Sequence, residues 1–167
     1  MVEFSAAIRL YFDKKNVAEY NCEKLKSTVQ LVAKIQAKHS GHSSSAAKSD
    51  ETGGLDAAVF LLKNADVMLP CNLWAEVGLC NGSFRVVEQF WYAEAAGPPS
   101  LPIAVLVHFP GYTGPGFINA CKKCLPPKVF EWMVDGKYLS RQHIPLRLSY
   151  AMAIHKSLRK DFTKSCR

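Results

Sequence analysis

The first apolar run, "AAIRLYF" at residues 6–12, has strand length, and the period of the pattern changes directly after it. Asp13 stands where a helix N-cap is needed, and Ala18, Cys22, Leu25 and Val29 follow at steps of four, three and four. Those steps predict a buried strand followed by a helix from about Lys14 to Thr28 with one apolar stripe. Leu31, Ala33, Ile35 and Ala37 then alternate with other residues, as a half-exposed strand does. "SGHSSSAAKSDETGG" is Ser- and Gly-rich and predicts a mobile loop. "AVFLLKNADVMLPCNL" predicts a strand, or a pair of strands about a Lys63-Asn64 turn.

The character changes at Asn81-Gly82. "SFRVVEQFWYA", "PIAVLVHF" and "KVFEWMV" are strand-like runs with no helical interval between them. Asp135-Gly136, between "FEWMV" and "KYLSR", is the strongest hairpin signal in the chain. Several short strands separated by turn residues predict a small barrel, because closure removes unpaired strand edges. "IPLRL" then alternates again, with Ile144, Leu146 and Leu148 on one face. Tyr150, Ile154 and Leu158, with Ala151 beside them, recur at helical spacing and bring His155, Lys156 and Ser157 to the end of a predicted helix. The organisation expected is an α/β layer into which a β-barrel has been inserted.

Composition narrows this picture only in part. At 167 residues, 49% hydrophobic and 21% charged, the chain is long enough for one domain with a small insertion. No apolar run approaches the ~20 residues of a spanning helix. No secretory leader is seen at the N-terminus, so an intracellular protein with no membrane partner is expected. The six cysteines then read as reduced thiols. Cys121 and Cys124 have C-x-x-C spacing, yet no second pair follows at a zinc-site interval. The net charge of +7 suggests a polyanion, but Lys156, Arg159, Lys160, Lys164 and Arg167 against Asp161 put +4 of it in the last twelve residues.

Two blocks carry a more specific signal. "VMLPCNLWAEVGLCNGSFRVV" and "IPLRLSYAMAIHKS" resemble, in order and spacing, two blocks of the Pif-type (petite integration frequency) DNA helicases of superfamily 1. "AIRLYF…NVAEYNCEKL" resembles the strand-helix opening of that family's second motor domain. The resemblance covers nearly the whole chain. It implies a partial second RecA-like motor domain at residues 1–80 and 144–167, with an SH3-like barrel inserted at 81–143. It further implies a fragment of an ATP-dependent 5′–3′ DNA helicase, with ATP and Mg2+ as the parent family's cofactors. Single-stranded DNA and a missing first motor domain are the implied partners. The implied setting is the nucleus, or else the mitochondrion, and the implied processes are DNA repair, recombination and telomere maintenance.

The same resemblance makes His155, Lys156 and Ser157 the DNA-contacting group. A hydroxyl and cationic or donor groups at a helix end suit phosphate oxygens, positioning a strand without reading its bases. Tyr112, in a Gly/Pro-rich loop, is the aromatic best placed for exposure and for stacking on a base; Phe90, Trp91, Tyr92 and Trp132 have the spacing of core residues. Phosphoryl transfer needs a glycine-rich loop with its Lys and a magnesium-binding acid, and no G-x-x-x-x-G-K-[ST] occurs. After Ser157, Leu158 and Arg159 replace the family's Gln-Gly, and the resemblance stops, as a truncated or frameshifted product would show. The chain by itself is therefore expected to be inactive in ATP hydrolysis. Two alternatives stand beside this reading: a non-catalytic basic module for single-stranded nucleic acid, and a non-functional truncated relic. Arg85, where the family often has glycine, is expected to strain the turn beside it.

Overall fold

The computed structural model describes residues 8–40, 42–115 and 122–154. It opens with strand β1 (Arg9–Tyr11) and helix α1 (Lys14–Lys26). Asp13 is the N-cap as expected: its Oδ1 accepts from the Asn16 backbone N–H at 2.7 Å. The buried line on α1 differs from the expected stripe. Asn21 is buried while Cys22 is exposed, and Val29 lies beyond the helix and fully in solvent. The reason is a polar anchor, since Asn21 Oδ1 accepts from the Ala151 backbone N–H at 3.0 Å in a buried setting. That bond rotates the helix by one position from where apolar spacing alone would set it.

Ala151 belongs to strand β12 (Ala151–Ala153), which pairs in parallel with β1 in the register Arg9 to Ala151 and Tyr11 to Ala153. A helix was expected across Tyr150–Ile154. Three residues are too few for period to separate strand from helix, and the β1 edge decides for strand. β1 itself is largely exposed rather than buried.

Everything between α1 and β12 is β-rich. The strands are β2 (Ala33–Gln36), β3 (Lys38–Ser40), β4 (Ala58–Leu61), β5 (Asp66–Met68), β6 (Phe84–Trp91), β7 (Ala104–His108), β8 (Lys122–Leu125), β9 (Lys128–Val134), β10 (Lys137–His143) and β11 (Arg147–Leu148). A five-stranded antiparallel sheet has the order β11-β5-β6-β7-β8; β3-β10-β9 and β2-β4 form smaller sheets. Between them lies one apolar core that includes Ile35, Leu61, Val67, Val87, Val107, Phe109, Ile144 and Leu146.

Turn chemistry accounts for several of the joints. Asp135 and Gly136 both take positive φ (48° and 74°), the requirement of a tight hairpin turn, and β9 pairs with β10 across them. Asn64 also has positive φ, 65°, so the turn expected there is present. The strands flanking it do not pair with each other, however: β4 pairs with β2, and β5 with β6 and β11.

Two larger expectations change. Among the described residues no closed barrel forms; the fold is mixed α/β and mostly sheet, and the five-stranded sheet ends on β11 and β8. Pairing also crosses the expected boundary at residue 81, since β5 joins β6 and β3 joins β10. Secondly, the Ser/Gly-rich segment is not an open loop. It forms 3-10 turns at His42–Ser45 and Ser49–Glu51, gathered around a fully buried Arg141. The Arg141 guanidinium donates to the carbonyls of Ser44, Ala47 and Leu55 at 2.8–2.9 Å and to Thr52 Oγ1 at 3.2 Å. Arg85 sits in the β6 ladder opposite Val67, and it is Gly82, not Arg85, that takes the positive φ of the preceding turn.

Candidate nucleic-acid interface

Because β1 and β12 are parallel, their C-terminal ends lie side by side, and the chain turns from Tyr11 into the N-terminus of α1 at that same end. In open α/β layers the carboxyl ends of parallel strands are where ligands gather. Phe12 is 81% exposed there, and Lys14 is exposed with its ammonium 3.1 Å from Asp50. His155, Lys156 and Ser157, the residues expected to contact DNA, lie outside the described residues, which stop at Ile154.

Beside this end a cleft of about 480 Å³ separates α1 from the β-rich part, with Val17, Asn21, Phe60, Met68 and Met152 among its walls. Its charged side chains are Lys14, Asp50, Asp56 and Arg147. Arg147 is neutralised in place: Nε and Nη2 donate to the two Asp56 carboxylate oxygens at 2.5 and 2.9 Å, and Nη2 also reaches the Gly54 carbonyl at 3.1 Å. A fork paired on both prongs is a strut rather than a free anion ligand. No spacing in the sequence links residues 56 and 147, so the pair was not legible there.

The expectation for Tyr112 is corrected. It is 4% exposed, part of the core cluster, and its hydroxyl donates to the Pro115 carbonyl at 2.9 Å. Gly114, with no side chain, leaves the space the ring occupies. A Gly/Pro-rich loop therefore folds the tyrosine inward instead of displaying it. Phe90 packs against the core as expected, and Trp132 stacks on Phe130 with centroids 6.1 Å apart. Arg85, half-buried, lays its guanidinium 4.6 Å from the Phe109 ring centroid and donates to the Phe84 and Gly78 carbonyls. Burial pulls its pKa below the usual arginine range.

Phe12, Phe60, Trp74 and Tyr138 are the large aromatics exposed among the described residues, and of these Trp74, which the reading by spacing passed over, borders an apolar groove with a cation. It is 43% exposed beside a groove of about 390 Å³ walled by Leu73, Leu79, Leu125 and three prolines, with Lys128 at its margin. The sequence did carry a signal, a tryptophan in the turn between "NL" and "GLCNG", where no strand period calls for core. As to metals, no group of three or more His, Cys, Asp or Glu side chains is arranged to hold an ion among the described residues. Cys121 and the side chain of Cys124 fall outside that set. No helix among the described residues is long and apolar enough to cross a membrane.

No protein-family model matches the chain. It is 35% identical over 100 residues to the ATP-dependent DNA helicase PIF1 of Xenopus laevis, covering 58% of this chain and 13% of that protein. The same helicase of Rattus norvegicus matches at 35% over 96 residues, covering 56% and 12%. The chain thus spans about an eighth of the length of the curated relatives it matches. In fold it is similar to the Pif1 helicase of Candida albicans, with a TM-score of 0.66 at 20% identity over 89% of this chain and 36% of that one. Bacteroides Pif1 bound to ssDNA matches with a TM-score of 0.59 at 19% identity, over 90% and 31%. The resemblance to Pif1-type helicases thus holds in sequence over more than half of the chain and in fold over about nine-tenths of it.

Proposed function

We propose that this chain is a segment of a Pif1-type ATP-dependent 5′–3′ DNA helicase, its second RecA-like motor domain interrupted by an SH3-like unit. Its share of the work is to hold single-stranded DNA. The observation that carries the reading is the β1–α1–β12 unit: a parallel strand pair joined through a helix, whose second strand arrives only after the whole antiparallel assembly has been built. That is the topology of an α/β motor layer opened to accept an insertion. In this reading the inserted unit begins before residue 81, because β3 and β5 pair with β10 and β6. The motor layer keeps β1, α1, β12 and the residues after Ile154, where His155, Lys156 and Ser157 are assigned to phosphate oxygens.

In this reading ATP and Mg2+ are not held by this chain alone. The one glycine-rich stretch of suggestive form, "GYTGPG", carries no Lys-Ser/Thr, and its Tyr112 is core. No acidic cluster stands ready for a metal among the described residues. Nucleotide chemistry is therefore assigned to a first motor domain contributed from outside this chain. A nuclear or mitochondrial setting, with roles in DNA repair, recombination and telomere maintenance, belongs to the same proposal.

The test is a titration of fluorescently labelled oligo(dT) at two salt concentrations. The full chain is compared with a chain ending at Ser157 and with His155→Ala and Ser157→Ala. Binding that survives removal of the tail and falls in both substitutions is expected. Binding lost with the tail alone would reassign the chain as a basic module acting through unspecific charge. A broad, non-cooperative melt without binding would make it a relic and end the proposal.

A further inference from the structure

We infer that the groove beside Trp74 is a second contact for single-stranded DNA, in which the indole stacks on one base and Lys128 meets the adjacent phosphate. This rests on the strand-holding function proposed above and names a place among the described residues where the strand is held.

The first observation is how Trp74 is presented. Its backbone is locked to Leu79 by reciprocal bonds: Leu79 N–H donates to the Trp74 carbonyl at 2.9 Å, and Trp74 N–H to the Leu79 carbonyl at 3.2 Å. Leu79 is itself buried, so the turn is anchored in the core while the indole stays 43% exposed. An aromatic held this way loses little freedom on binding, which is what makes stacking effective.

The second observation is the groove floor. Pro126 and Pro127 join β8 to β9, and Pro145 joins β10 to β11; all three line the groove with Trp74. Proline has no backbone N–H, so this floor offers flat apolar surface and no donors along it. A peptide laid there as a strand would find no ladder, whereas a base needs only a face.

The third observation is charge. Lys128 lines the groove and no carboxylate does. Its ammonium stands 3.7 Å from Cys71 Sγ, a soft neighbour that leaves the cation available to an anion. An exposed indole, an apolar floor and one cation without an acid match a nucleotide unit, with ring and phosphate in reach together. An apolar or neutral peptide would leave Lys128 unused.

The experiment uses the full chain and compares Trp74→Ala, Trp74→Phe and Lys128→Ala with wild type, by anisotropy of labelled oligo(dT) and of an abasic oligonucleotide of equal length. Stacking of one base on one ring is worth on the order of 10-fold in affinity. Trp74→Ala is expected to weaken oligo(dT) binding by about that factor and to leave the abasic strand unchanged. Trp74→Phe is expected to retain most of it. Lys128→Ala is expected to reduce by about 0.7 the slope of log K against log salt. Thermal melts matching wild type establish that each variant is folded. Wild-type binding of oligo(dT) undiminished in Trp74→Ala would overturn the inference while leaving the proposed function standing. Absence of wild-type binding would end both. An acidic proline-rich peptide that perturbs Trp74 where oligo(dT) does not would replace the nucleic acid with a protein partner and overturn the inference.

Discussion

Replacing Arg141 by Met tests the account of how the β-rich part is held together. The guanidinium is completely buried and is the common donor for the Ser44, Ala47 and Leu55 carbonyls, with Ser45 and Thr52 completing the set at 3.2–3.3 Å. Among the described residues no carboxylate is hydrogen-bonded to it, so backbone dipoles carry the charge. Burial pulls the Arg141 pKa down while Asp56 opposes that. Methionine conserves much of the volume but withdraws the guanidinium's donors from the Ser44, Ala47 and Leu55 carbonyls, at about 1–3 kcal/mol for each that is then left dry and unpaired, although the Leu55 carbonyl keeps its bond from Thr52 Oγ1. Relief of the buried cation's desolvation, several kcal/mol, offsets part of this. The net expectation is a loss of about 3–5 kcal/mol, against a typical total of roughly 5–15 kcal/mol. Urea unfolding followed by circular dichroism measures it. A lowered m-value would accompany the loss if residues 42–55 open in the native state, because less surface then remains to be exposed. Amide exchange over Ser44–Leu55 reads the opening directly. A loss below about 1 kcal/mol, with exchange protection unchanged, would refute the assignment of Arg141 as the organiser of that segment.

Stability is expected to fall as pH drops below about 6.5. Burial, foremost, and Arg141 depress the His143 pKa against its bonds to Ile35 and Ile144, and burial and Arg141 also depress that of His39. Both groups therefore take up protons more readily when unfolded; their neutral forms carry full stability above the unfolded value of 6.5, and it is lost as pH falls through 6.5 toward the folded pKa. A urea midpoint unchanged between pH 7.5 and 5.5 would contradict this. Asn21→Ala removes the buried acceptor of the Ala151 N–H, and about 1–3 kcal/mol is expected to be lost in thermal or urea unfolding; Asn21→Asp, which keeps an acceptor, is expected to lose less. Gly78→Ala is expected to cost about 2 kcal/mol or more in the same assay, because φ is 89° and a Cβ would strike the Gly111 carbonyl oxygen. A neutral outcome there would mean the turn carrying Trp74 is looser than described.

The parallel pairing of β12 with β1 gives the terminal block its place in the fold. The strand that completes the parallel pair, β12, precedes in sequence the residues proposed to contact DNA. Trp74 lies in the other resembling block, and Pro145 of the terminal block also lines its groove.

Local chemistry was legible in the sequence wherever a residue acts on its near neighbours. Asp13 caps α1, Asp135-Gly136 turns the β9–β10 hairpin, and Ile144 and Leu146 face the core, each for reasons contained in a few adjacent residues. Long-range partners were not, because nothing in a period of 2 or 3.6 encodes which distant group will satisfy a buried polar atom. Arg141 with Ser44 and Ala47, Arg147 with Asp56, and Asn21 with Ala151 are such pairs; the first turned a loop into ordered structure and the last rotated a helix, while pairing with distant β1 made a strand of residues 151–153. The same distinction separates Tyr112 from Trp74. Both sit in turns, and only the packed core decided that the tyrosine folds inward against Gly114 while the tryptophan remains outside.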